Sequence, residues 1–311
     1  MNYIFQKRIK LLFGRNGLHK LIHWFLLTSG LSRYLSDLTW TRIQYRASTG
    51  KKLNLKNPKL YNEKVQWLKL YDHNDFYTQL VDKRLVKDYV SKTIGEDYLI
   101  PTLAVWYSVD EIDINVLPNQ FVLKTNHSGG NTGVVICKDK NSFDLVAAKQ
   151  KLSRSLATDA YIVSREWPYK NVNRCIIAEP YMEDKVTGEL RDYKFFCFNG
   201  EPKALFVATE RQKQEEPCFD FFDANFNHLD LRCSHPQAST PPSKPASFEE
   251  MLELSRKLSQ GFSHIRVDLY EVNGQPLFGE LTLYHWEGLM PFYPEKWNKI
   301  FGDWLVLPSK K

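Results

Sequence analysis

The sequence predicts an α+β protein with largely antiparallel sheets. Runs of β-branched and aromatic residues come in pairs around turn residues, as at Asn199-Gly200 and Asn273-Gly274, and such pairs are typical of β-hairpins. Segments with apolar residues three and four positions apart separate these pairs, which is the spacing of an amphipathic helix. Because helices alternate with hairpins and no internal repeat is visible, we expect helices and antiparallel sheets within a globular chain.

Composition sets the broad limits. The 311 residues are enough for two or three lobes with substantial cores. Hydrophobic residues make up 43% and charged residues 25% of the chain, as in ordinary globular proteins. The five cysteines are scattered, without a Cys-x-x-Cys pair, which argues against a disulfide framework or a zinc site and for a reducing compartment. We therefore expect a cytoplasmic location.

Positive charge is concentrated in the N-terminal segment, residues 1–56. Eleven lysines and arginines there oppose one acid, Asp37, which gives a net charge of +10, while the remaining residues sum to −4. The most apolar stretch, residues 21–31, is too short and too interrupted for a secretory signal or a membrane span. A basic helical segment with aromatic residues can lie on the inner face of an anionic membrane, and it can equally pack on the body as a solvated helix.

The individual elements follow in chain order. A polar connector over residues 51–59 precedes the first two amphipathic helices, and a proline-rich loop over residues 234–247 precedes the last predicted helix. The predicted helices cover residues 62–70, 75–91, 142–156 and 247–258, and the predicted strands lie within 121–136 and at 175–178, 192–198, 203–209, 265–270 and 276–284.

The stretch from Phe121 to Ile136 suits phosphate binding. A strand ends at Lys124, a loop with three glycines follows, and a second β-branched run completes the pair. Glycine lets successive backbone N–H groups approach an anion closely, and the lysine adds positive charge beside them. The pattern is not a P-loop, because no Gly-Lys-Ser/Thr ends the loop. On its own, such a hairpin is more often purely structural.

Two carboxylates in the last hairpin predict a cation site. With a three-residue loop over residues 273–275, Asp268 stands opposite Glu280 and Arg266 opposite Thr282, all on one face of the sheet. Opposed carboxylates about 5 Å apart repel each other unless a cation lies between them, and Mg²⁺ takes one or two carboxylates together with phosphate oxygens. A two-residue turn would place Glu280 on the other face. Without the upstream loop, two solvated carboxylates are the simpler interpretation.

Ordered motifs run through the chain from about Asn57 to Pro308. They are Asn57-Pro58, Tyr61-Asn62-Glu63-Lys64-Val65-Gln66-Trp67-Leu68-Lys69, Asp82-Lys83, Gly95-Glu96, Tyr98-Leu99-Ile100-Pro101, the loop after Lys124, Asp192-Tyr193-Lys194-Phe195, Arg266-Val267-Asp268-Leu269-Tyr270 and Phe278-Gly279-Glu280-Leu281-Thr282. With these motifs the chain resembles the ATP-grasp superfamily and, more narrowly, the TupA-like (teichuronopeptide-biosynthesis) ATP-grasp proteins of bacterial surface-polysaccharide gene clusters. The first 56 residues match less specifically.

The resemblance implies a nucleotide site. Lys83 and Lys124 match the two lysines that reach the nucleotide phosphates, and the loop that begins at His127 matches the segment that folds over them. Glu179 opens the hinge whose backbone reads the adenine edge. The implied nucleotide-binding residues are Lys83, Lys124, His127, Ser128, Gly129, Gly130, Glu179, Tyr181 and Met182, the last two beside the adenine ring, together with Asp192.

The resemblance also implies metal ligands and catalytic residues. Asp268 and Glu280 match the two magnesium carboxylates, and Thr282 stands where the superfamily usually has asparagine. Lys194 shares a strand face with Asp192 near phosphate or substrate. The implied catalytic residues are Lys194, Arg211, Arg266 and His285, of which Arg211 would hold the acyl group and His285 would be a general base or a binding group.

The implied fold is the ATP-grasp fold, in which two α+β lobes with largely antiparallel sheets clamp a nucleotide. A basic helical N-terminal segment precedes them. The implied division gives this segment residues 1–56, a preceding lobe residues 57–118, a nucleotide-clamping subdomain residues 119–182, and a C-terminal lobe with the metal site residues 183–311.

The implied activity is that of a carboxylate–amine ligase with ATP and Mg²⁺ as cofactors. A carboxylate attacks the γ-phosphate to give an acyl phosphate, which an amine converts into an amide. The polysaccharide context implies a glycan-linked substrate, either a uronic acid that receives an amine or an amino sugar that receives an amino acid. The basic N-terminal segment would then contact the inner face of the membrane.

Three alternatives remain open at this point. A glycosyltransferase would bind a nucleotide sugar, usually through an Asp-x-Asp motif, to which the acidic residues at 110–113 and 220–223 are poor matches. An ATP-grasp phosphotransferase would stop at the phosphorylated product. A binding module without activity would not need both lysines and the carboxylate pair. Nucleic-acid binding is not expected, because no recognition motif accompanies the basic segment.

Overall fold

The computed structural model describes residues 16–210 and 216–309. The chain folds as two compact units. The helical unit comprises Met1–His73, Ala160–Trp167 and Tyr284–Lys311, and the sheet unit comprises Asn74–Asp159 and Pro168–Leu283. The division into four segments expected from the sequence stays a prediction.

Helices and strands alternate along the described chain, with short 3₁₀ turns between several of them. The helices are α1 (Gly17–Thr28), α2 (Asp37–Thr49), α3 (Tyr61–Tyr71), α4 (Phe76–Val81), α5 (Val86–Ile94), α6 (Leu145–Ala157), α7 (Ala160–Ser164), α8 (Phe248–Leu258) and α9 (Lys296–Trp304). The strands are β1 (Ala104–Trp106), β2 (Phe121–Thr125), β3 (Val134–Cys137), β4 (Ile176–Pro180), β5 (Asp192–Phe198), β6 (Glu201–Thr209), β7 (Cys218–Asp223), β8 (His264–Val272) and β9 (Gln275–Thr282).

Aromatic side chains form much of the core of the helical unit. Tyr61 at the start of α3 is fully buried and packs edge-on against Phe292 and Phe301, each at a ring-centroid distance of 5.7 Å. Helix α3 begins at Tyr61, one residue before the predicted start, and the Asn62 side chain does not cap it. The Glu63 carboxylate accepts the backbone N–H of the preceding turn instead, and the Asn62 amide donates to a backbone carbonyl elsewhere in the unit.

Two antiparallel sheets build the sheet unit, which confirms the predicted fold class. The first sheet has the strand order β1-β4-β2-β3 and the second the order β7-β6-β5-β8-β9. Helix α6 packs on the first sheet with Ala148 and Leu152 buried, as their four-residue spacing predicts. Helix α8 packs on the second sheet, where the rings of Phe248 and Phe195 lie 6.1 Å apart.

The single helix predicted over residues 75–91 is in fact two helices, α4 and α5, separated at Asp82. The backbone of Asp82 is extended, and its carboxylate accepts the N–H groups of Arg84 at 2.8 Å and Leu85 at 3.2 Å. A short side chain that satisfies nearby N–H groups in this way competes with helical hydrogen bonding. The interruption therefore follows from the acidic residue, and it sets the position of Lys83.

The last hairpin has the predicted register at Asp268 and Glu280, but its turn differs from the predicted one. Its turn has two residues, Asn273 and Gly274, both with positive φ, so the predicted three-residue loop is wrong. A β-bulge at Gly279 adds one residue to β9 and shifts the pairing back. Asp268 consequently pairs with Glu280, as predicted.

Candidate active site

Glu179 on β4 holds two lysines of the sheet unit together. One of its carboxylate oxygens contacts Nζ of Lys124 on β2, and the other accepts a hydrogen bond from Nζ of Lys87 on α5 at 2.6 Å. The side chains of both lysines are less than one fifth exposed, and that of Glu179 is 5% exposed. We call these residues, with Lys83 described below, the lysine cluster (Lys83, Lys87, Lys124 and Glu179). The cluster contains three lysines and one carboxylate, which Lys87 and Lys124 contact, so it has excess positive charge.

Electrostatics keeps Glu179 ionised. Burial by itself would raise the pKa of this carboxyl, but Lys124 and Lys87 outweigh burial and hold the pKa below its usual range. Burial lowers the pKa of Lys87, against the attraction of Glu179. An additional anion beside these lysines would find charge that one carboxylate does not balance.

Hydrogen bonds to neighbouring residues, and not a helix, fix the position of Lys83. Its backbone N–H donates to the carbonyl of Asn126 at 3.0 Å, and its Nζ donates to the carbonyl of Ser128 at 2.6 Å. The Asn126 amide in turn donates to the buried Asp82 carboxylate at 2.8 Å. Lys83 is thus fixed against the start of the glycine-containing loop. The pKa of Lys83 is lowered, chiefly by burial and further by Lys124, whereas Glu280 opposes the shift.

The loop between β2 and β3 has a closely packed side and an open side. His127 is buried, with its Nε2 3.2 Å from the carbonyl of Ser155 on α6. A Cβ on Gly133 would collide with three hydroxyl groups, whereas a Cβ on Gly129 or Gly130 would meet no atom within 4 Å. The open glycine side is the part of the loop where backbone N–H groups can approach a phosphate.

On the second sheet, the three predicted metal ligands converge on one nitrogen. Nη2 of Arg266 lies 2.7 Å from Asp268, 3.2 Å from Glu280 and 2.9 Å from Thr282. Nε of Arg266 also donates to Asp268 at 2.6 Å, so this pair is bidentate. The guanidinium is the cation that the opposed carboxylates require.

Lys194 extends this group along β5. Its Nζ contacts Asp268 and lies 2.7 Å from Asp192, which confirms that Asp192 and Lys194 share a strand face. Asp192 and Asp268 are both buried. We call these residues the carboxylate cluster (Asp192, Lys194, Arg266, Asp268 and Glu280). Three carboxylates face two cations there, so the cluster has excess negative charge.

The two opposed carboxyls of the carboxylate cluster titrate differently. Burial would raise the pKa of Glu280, but Lys83, Lys194 and Arg266 together hold it far below its usual range. Burial raises the pKa of Asp268, and Glu280 adds to this effect against the pull of Arg266 and Lys194. Glu280 therefore stays ionised and carries a negative charge next to Lys83.

The donor set fits a magnesium ion shared with phosphate. Among residues 16–210 and 216–309, no three His, Cys, Asp or Glu side chains form a group that could hold a metal. Asp268 and Glu280 supply two carboxylates and Thr282 a hydroxyl, all aimed at a single cationic atom. Magnesium is commonly held by one or two carboxylates with phosphate oxygens and water completing its shell, so these residues suit it only together with a phosphate ligand.

One contact joins the two clusters. Nζ of Lys83 lies 3.6 Å from a carboxylate oxygen of Glu280 while it donates to the loop carbonyl of Ser128. The site predicted from the loop and the site predicted from the last hairpin are therefore a single site within the sheet unit.

The remaining predicted residues lie as follows. The Tyr181 hydroxyl donates to Glu183 at 2.7 Å, and Met182, next along the chain after β4, is partly exposed. His285 belongs to the helical unit, where it is buried with its Nε2 2.9 Å from Sδ of Met290. Arg211 lies outside the described residues. The assigned roles of these residues in nucleotide or substrate binding stay predictions.

Sequence reasoning did not include three residues that position this site: Lys87, Asp82 and Asn126. The single helix predicted over residues 75–91 would have placed Lys83 and Lys87 on one face, but the break at Asp82 removes that helix. Asp82 directly precedes Lys83 and Asn126 follows Lys124 by two positions. The sequence feature that could have indicated Asp82 and Asn126 is a short polar side chain close to each predicted lysine.

The fold and the paired clusters define an ATP-grasp protein. A family model described as TupA-like ATPgrasp matches residues 63–306, and the chain belongs to this family. No curated protein matches the chain in sequence.

Solved structures of similar fold include three ATP-grasp proteins. D-alanine–D-alanine ligase from Bacillus anthracis is 15% identical with a TM-score of 0.38, and the match covers 71% of this chain and 59% of that enzyme. The corresponding ligase from Helicobacter pylori is 16% identical with a TM-score of 0.39, covering 79% and 69%. A RimK domain ATP-grasp protein from Sphaerobacter thermophilus is 12% identical with a TM-score of 0.39, covering 74% and 69%.

Proposed function

We propose that this protein is an ATP-dependent carboxylate–amine ligase that forms an amide through an acyl phosphate. The observation that carries the proposal is the position of Lys83. Its Nζ contacts both Glu280 and the glycine-containing loop between β2 and β3. A site with excess positive charge in contact with a site with excess negative charge is complementary to a nucleotide phosphate chain paired with a divalent cation.

In the first step, a substrate carboxylate oxygen attacks the γ-phosphorus and the bond to the β,γ-bridging oxygen breaks. ADP leaves with the electrons of that bond, and the carboxylate becomes an acyl phosphate. Lys83, Lys124 and the open glycine side of the loop would stabilise charge on the phosphate oxygens. Positioning supplies most of the remaining rate enhancement.

In the second step, the nitrogen of a neutral amine attacks the acyl carbon. The bond from carbon to the phosphate oxygen breaks, inorganic phosphate leaves, and the nitrogen loses one proton to solvent water. Arg266 and Lys194 are cations suited to stabilising the oxyanion of the tetrahedral intermediate. No covalent enzyme nucleophile is required.

Asp268, Glu280 and Thr282 would hold Mg²⁺ in this scheme. The ion would neutralise negative charge on the phosphate chain. Arg266 Nη2 contacts all three side chains, so the proposal requires Arg266 to release part of this contact when the metal binds.

We also propose that one substrate is glycan-linked. The support is the resemblance of the motifs to those of TupA-like proteins from surface-polysaccharide gene clusters. Either polarity, an amine added to a uronic acid or an amino acid added to an amino sugar, is compatible with the same nucleotide site.

Calorimetric titration tests the nucleotide part of the proposal. We expect ATP to bind in the presence of Mg²⁺ and UDP-glucose not to bind. Binding of UDP-glucose without binding of ATP would instead favour a glycosyltransferase. Once ATP binding is established, carboxylate and amine pairs are screened for ADP release, and mass spectrometry separates an amide product from the phosphorylated product of a phosphotransferase.

We further propose that α1 docks on an anionic membrane surface. Leu18, Ile22 and Phe25 are spaced for one helix face and are 64%, 42% and 53% exposed, and the segment around them is strongly basic. Among residues 16–210 and 216–309, no helix has the length and hydrophobicity needed to cross a bilayer. Contact of α1 with the bilayer surface is the form of membrane association that we propose.

Vesicle co-sedimentation tests this docking. We expect binding to phosphatidylglycerol vesicles that weakens with salt, little binding to phosphatidylcholine vesicles, and loss of binding in a Leu18→Ser, Phe25→Ser variant. A Val146→Ser variant is the matched control, because Val146 is also an exposed helical residue, 68% exposed on α6. If both variants bound phosphatidylglycerol vesicles equally well, the proposed role of α1 would be wrong.

A further inference from the structure

The helical unit contains a cavity of its own. It has a volume of about 380 Å³ and is lined by His23, Gln44, Ser48, Trp286 and Glu287, with two aliphatic side chains. All of these residues belong to the helical unit, so the cavity is separate from the lysine and carboxylate clusters. A volume of this size accommodates a small organic ligand.

The turn that carries Trp286 and Glu287 has an uncommon backbone. The φ angles of these two residues are 46° and 57°, and Gly288 follows with φ 70°. Successive non-glycine residues in the left-handed region cost free energy and persist where the surroundings enforce them. Gln66 on α3 provides that enforcement, since its amide donates to the carbonyls of Glu287 at 2.7 Å and Gly288 at 3.1 Å.

The side-chain oxygen of Gln44 is a hydrogen-bond acceptor that no donor contacts among the described residues. Its Nε2 donates to the carbonyl of Val163 at 2.8 Å and to the Glu287 carboxylate at 3.3 Å. Both partners are acceptors, so this network fixes which end of the amide is nitrogen. Gln44 is only 3% exposed, and among the described residues its Oε1 has no hydrogen-bond partner. A buried acceptor left in this state costs free energy, which a ligand donor would recover once the amide turned Oε1 toward the cavity.

The other polar groups that line the cavity also favour a ligand that donates hydrogen bonds. Burial lowers the pKa of His23, which favours the neutral imidazole, so Glu287 supplies the formal charge of the lining. Nζ of Lys69 donates to the Glu287 backbone carbonyl at 3.2 Å, and burial lowers the pKa of Lys69 against the attraction of Glu287. The indole of Trp286 adds a ring face of the kind that attracts cations.

We propose that this cavity binds the ammonium group of a small amine. An alkylammonium has three donors and no acceptor, which matches Gln44 Oε1 and the Glu287 carboxylate. A hydroxyl group would lack the positive charge, and a carboxylate would be repelled by Glu287. The binding of ammonium rests on the cavity itself and does not depend on the proposed function.

Fluorine NMR of the full chain labelled with 5-fluorotryptophan tests the proposal. The Trp286 signal is assigned as the one absent from Trp286→Phe. Three probes share one ring: cyclohexylammonium, which is protonated at pH 7, cyclohexanol and cyclohexanecarboxylate. We expect a saturable shift of the Trp286 signal with the ammonium, and no saturable shift with the other two. Equal responses to all three probes would overturn the assignment.

Two variants and one control sharpen the result. Glu287→Gln keeps the shape and removes the charge, and we expect it to weaken cyclohexylammonium binding at least about tenfold. Gln44→Met removes the orphan acceptor and is expected to weaken binding severalfold. Asp303→Asn, an exposed carboxylate of the same unit paired with Lys299, should leave binding unchanged. Unchanged affinity in both cavity variants would overturn the proposal.

Titrating ATP into the same samples separates the two hypotheses. Binding of ATP without saturable binding of cyclohexylammonium would overturn the amine site and leave the ligase proposal in place. Binding of cyclohexylammonium without binding of ATP would overturn the ligase proposal and leave the ammonium site in place.

Discussion

The lysine cluster and the carboxylate cluster use similar ion pairs to opposite effect. In the lysine cluster Lys87 and Lys124 share Glu179, whereas in the carboxylate cluster three acids share Lys194 and Arg266. Each cluster is mostly buried, so its excess charge is only weakly screened by water. Ion pairing within each cluster therefore leaves a defined residual charge, positive in one and negative in the other.

The carboxylate cluster should give the largest effect when its residual charge is removed. Glu280→Gln keeps the side-chain size but takes away the charge that faces Lys83 and Arg266. We expect ADP release in the presence of both substrates to fall by about 10²–10³-fold, as for other losses of electrostatic transition-state stabilisation, and the Mg²⁺ dependence of ATP binding to disappear. A coupled ADP assay and calorimetry with and without EDTA measure these two effects.

Glu253→Gln is the matched control, because Glu253 is an exposed carboxylate on α8 paired with Arg256. If Glu280→Gln kept the activity and magnesium response of this control, the carboxylate cluster would not be the metal site.

Glu179→Gln tests whether one carboxylate holds the lysine cluster together. Its removal leaves buried lysines without their counter-charge, and we expect a loss of about 3 kcal/mol in the free energy of unfolding at pH 7. ATP should still bind, because the lysines remain. Urea denaturation and calorimetry provide the two readouts.

The stability loss of Glu179→Gln should depend on pH in a definite direction. The pKa of Glu179 in the folded protein lies below its ordinary value of 4.5, so its stabilising contribution is present above that value and is lost as pH falls through the folded pKa. The difference between wild type and variant should therefore narrow in acid. A constant difference between pH 7 and pH 3 would contradict this account.

Lys124→Ala removes one cation of the lysine cluster. A charge-assisted hydrogen bond to phosphate contributes about 1.5–3 kcal/mol, so ATP should bind about 10- to 100-fold more weakly. Lys151→Ala, an exposed lysine on α6, should bind ATP as wild type does. Matching affinities in calorimetry would exclude Lys124 from the nucleotide site.

Gly133→Ala should give the smallest of these effects. Its new Cβ would collide with the hydroxyls of Thr125, Ser128 and Ser155, and we expect a loss of about 1–3 kcal/mol in stability. Gly129→Ala in the same loop meets no atom within 4 Å and should change stability by less than about 0.5 kcal/mol. Thermal denaturation compares the pair, and equal melting temperatures would mean that the packed side of the loop adapts freely.

Regular patterns made the fold class and the grouping of charged side chains on one sheet face predictable. The alternation of Asp192 with Lys194 and of Arg266 with Asp268 placed side chains on one sheet face, and the structure brings these residues together. The facing of Asp268 and Glu280 was also predicted correctly, although from a turn length that is wrong.

Features set by competition between side chain and backbone were not predictable in the same way. Helical periodicity spans Asp82, yet the carboxylate of this one residue ends α4 and redirects Lys83. The final helix, α9, was missed, and the contacts of Lys87 depend on where its long, flexible side chain finds a carboxylate. Such choices depend on residues distant in sequence, which no local pattern contains.

The bulge at Gly279 has a consequence for aligning related sequences. In this chain a two-residue turn and one additional residue in β9 together place Glu280 opposite Asp268. A relative with a three-residue turn and no bulge would face its carboxylates in the same way, although its residues would be offset by one position between turn and bulge. An alignment of such a pair should carry two compensating gaps, one at residues 273–274 and one at Gly279, and a gapless alignment would assign the wrong side of β9 to the residues between them.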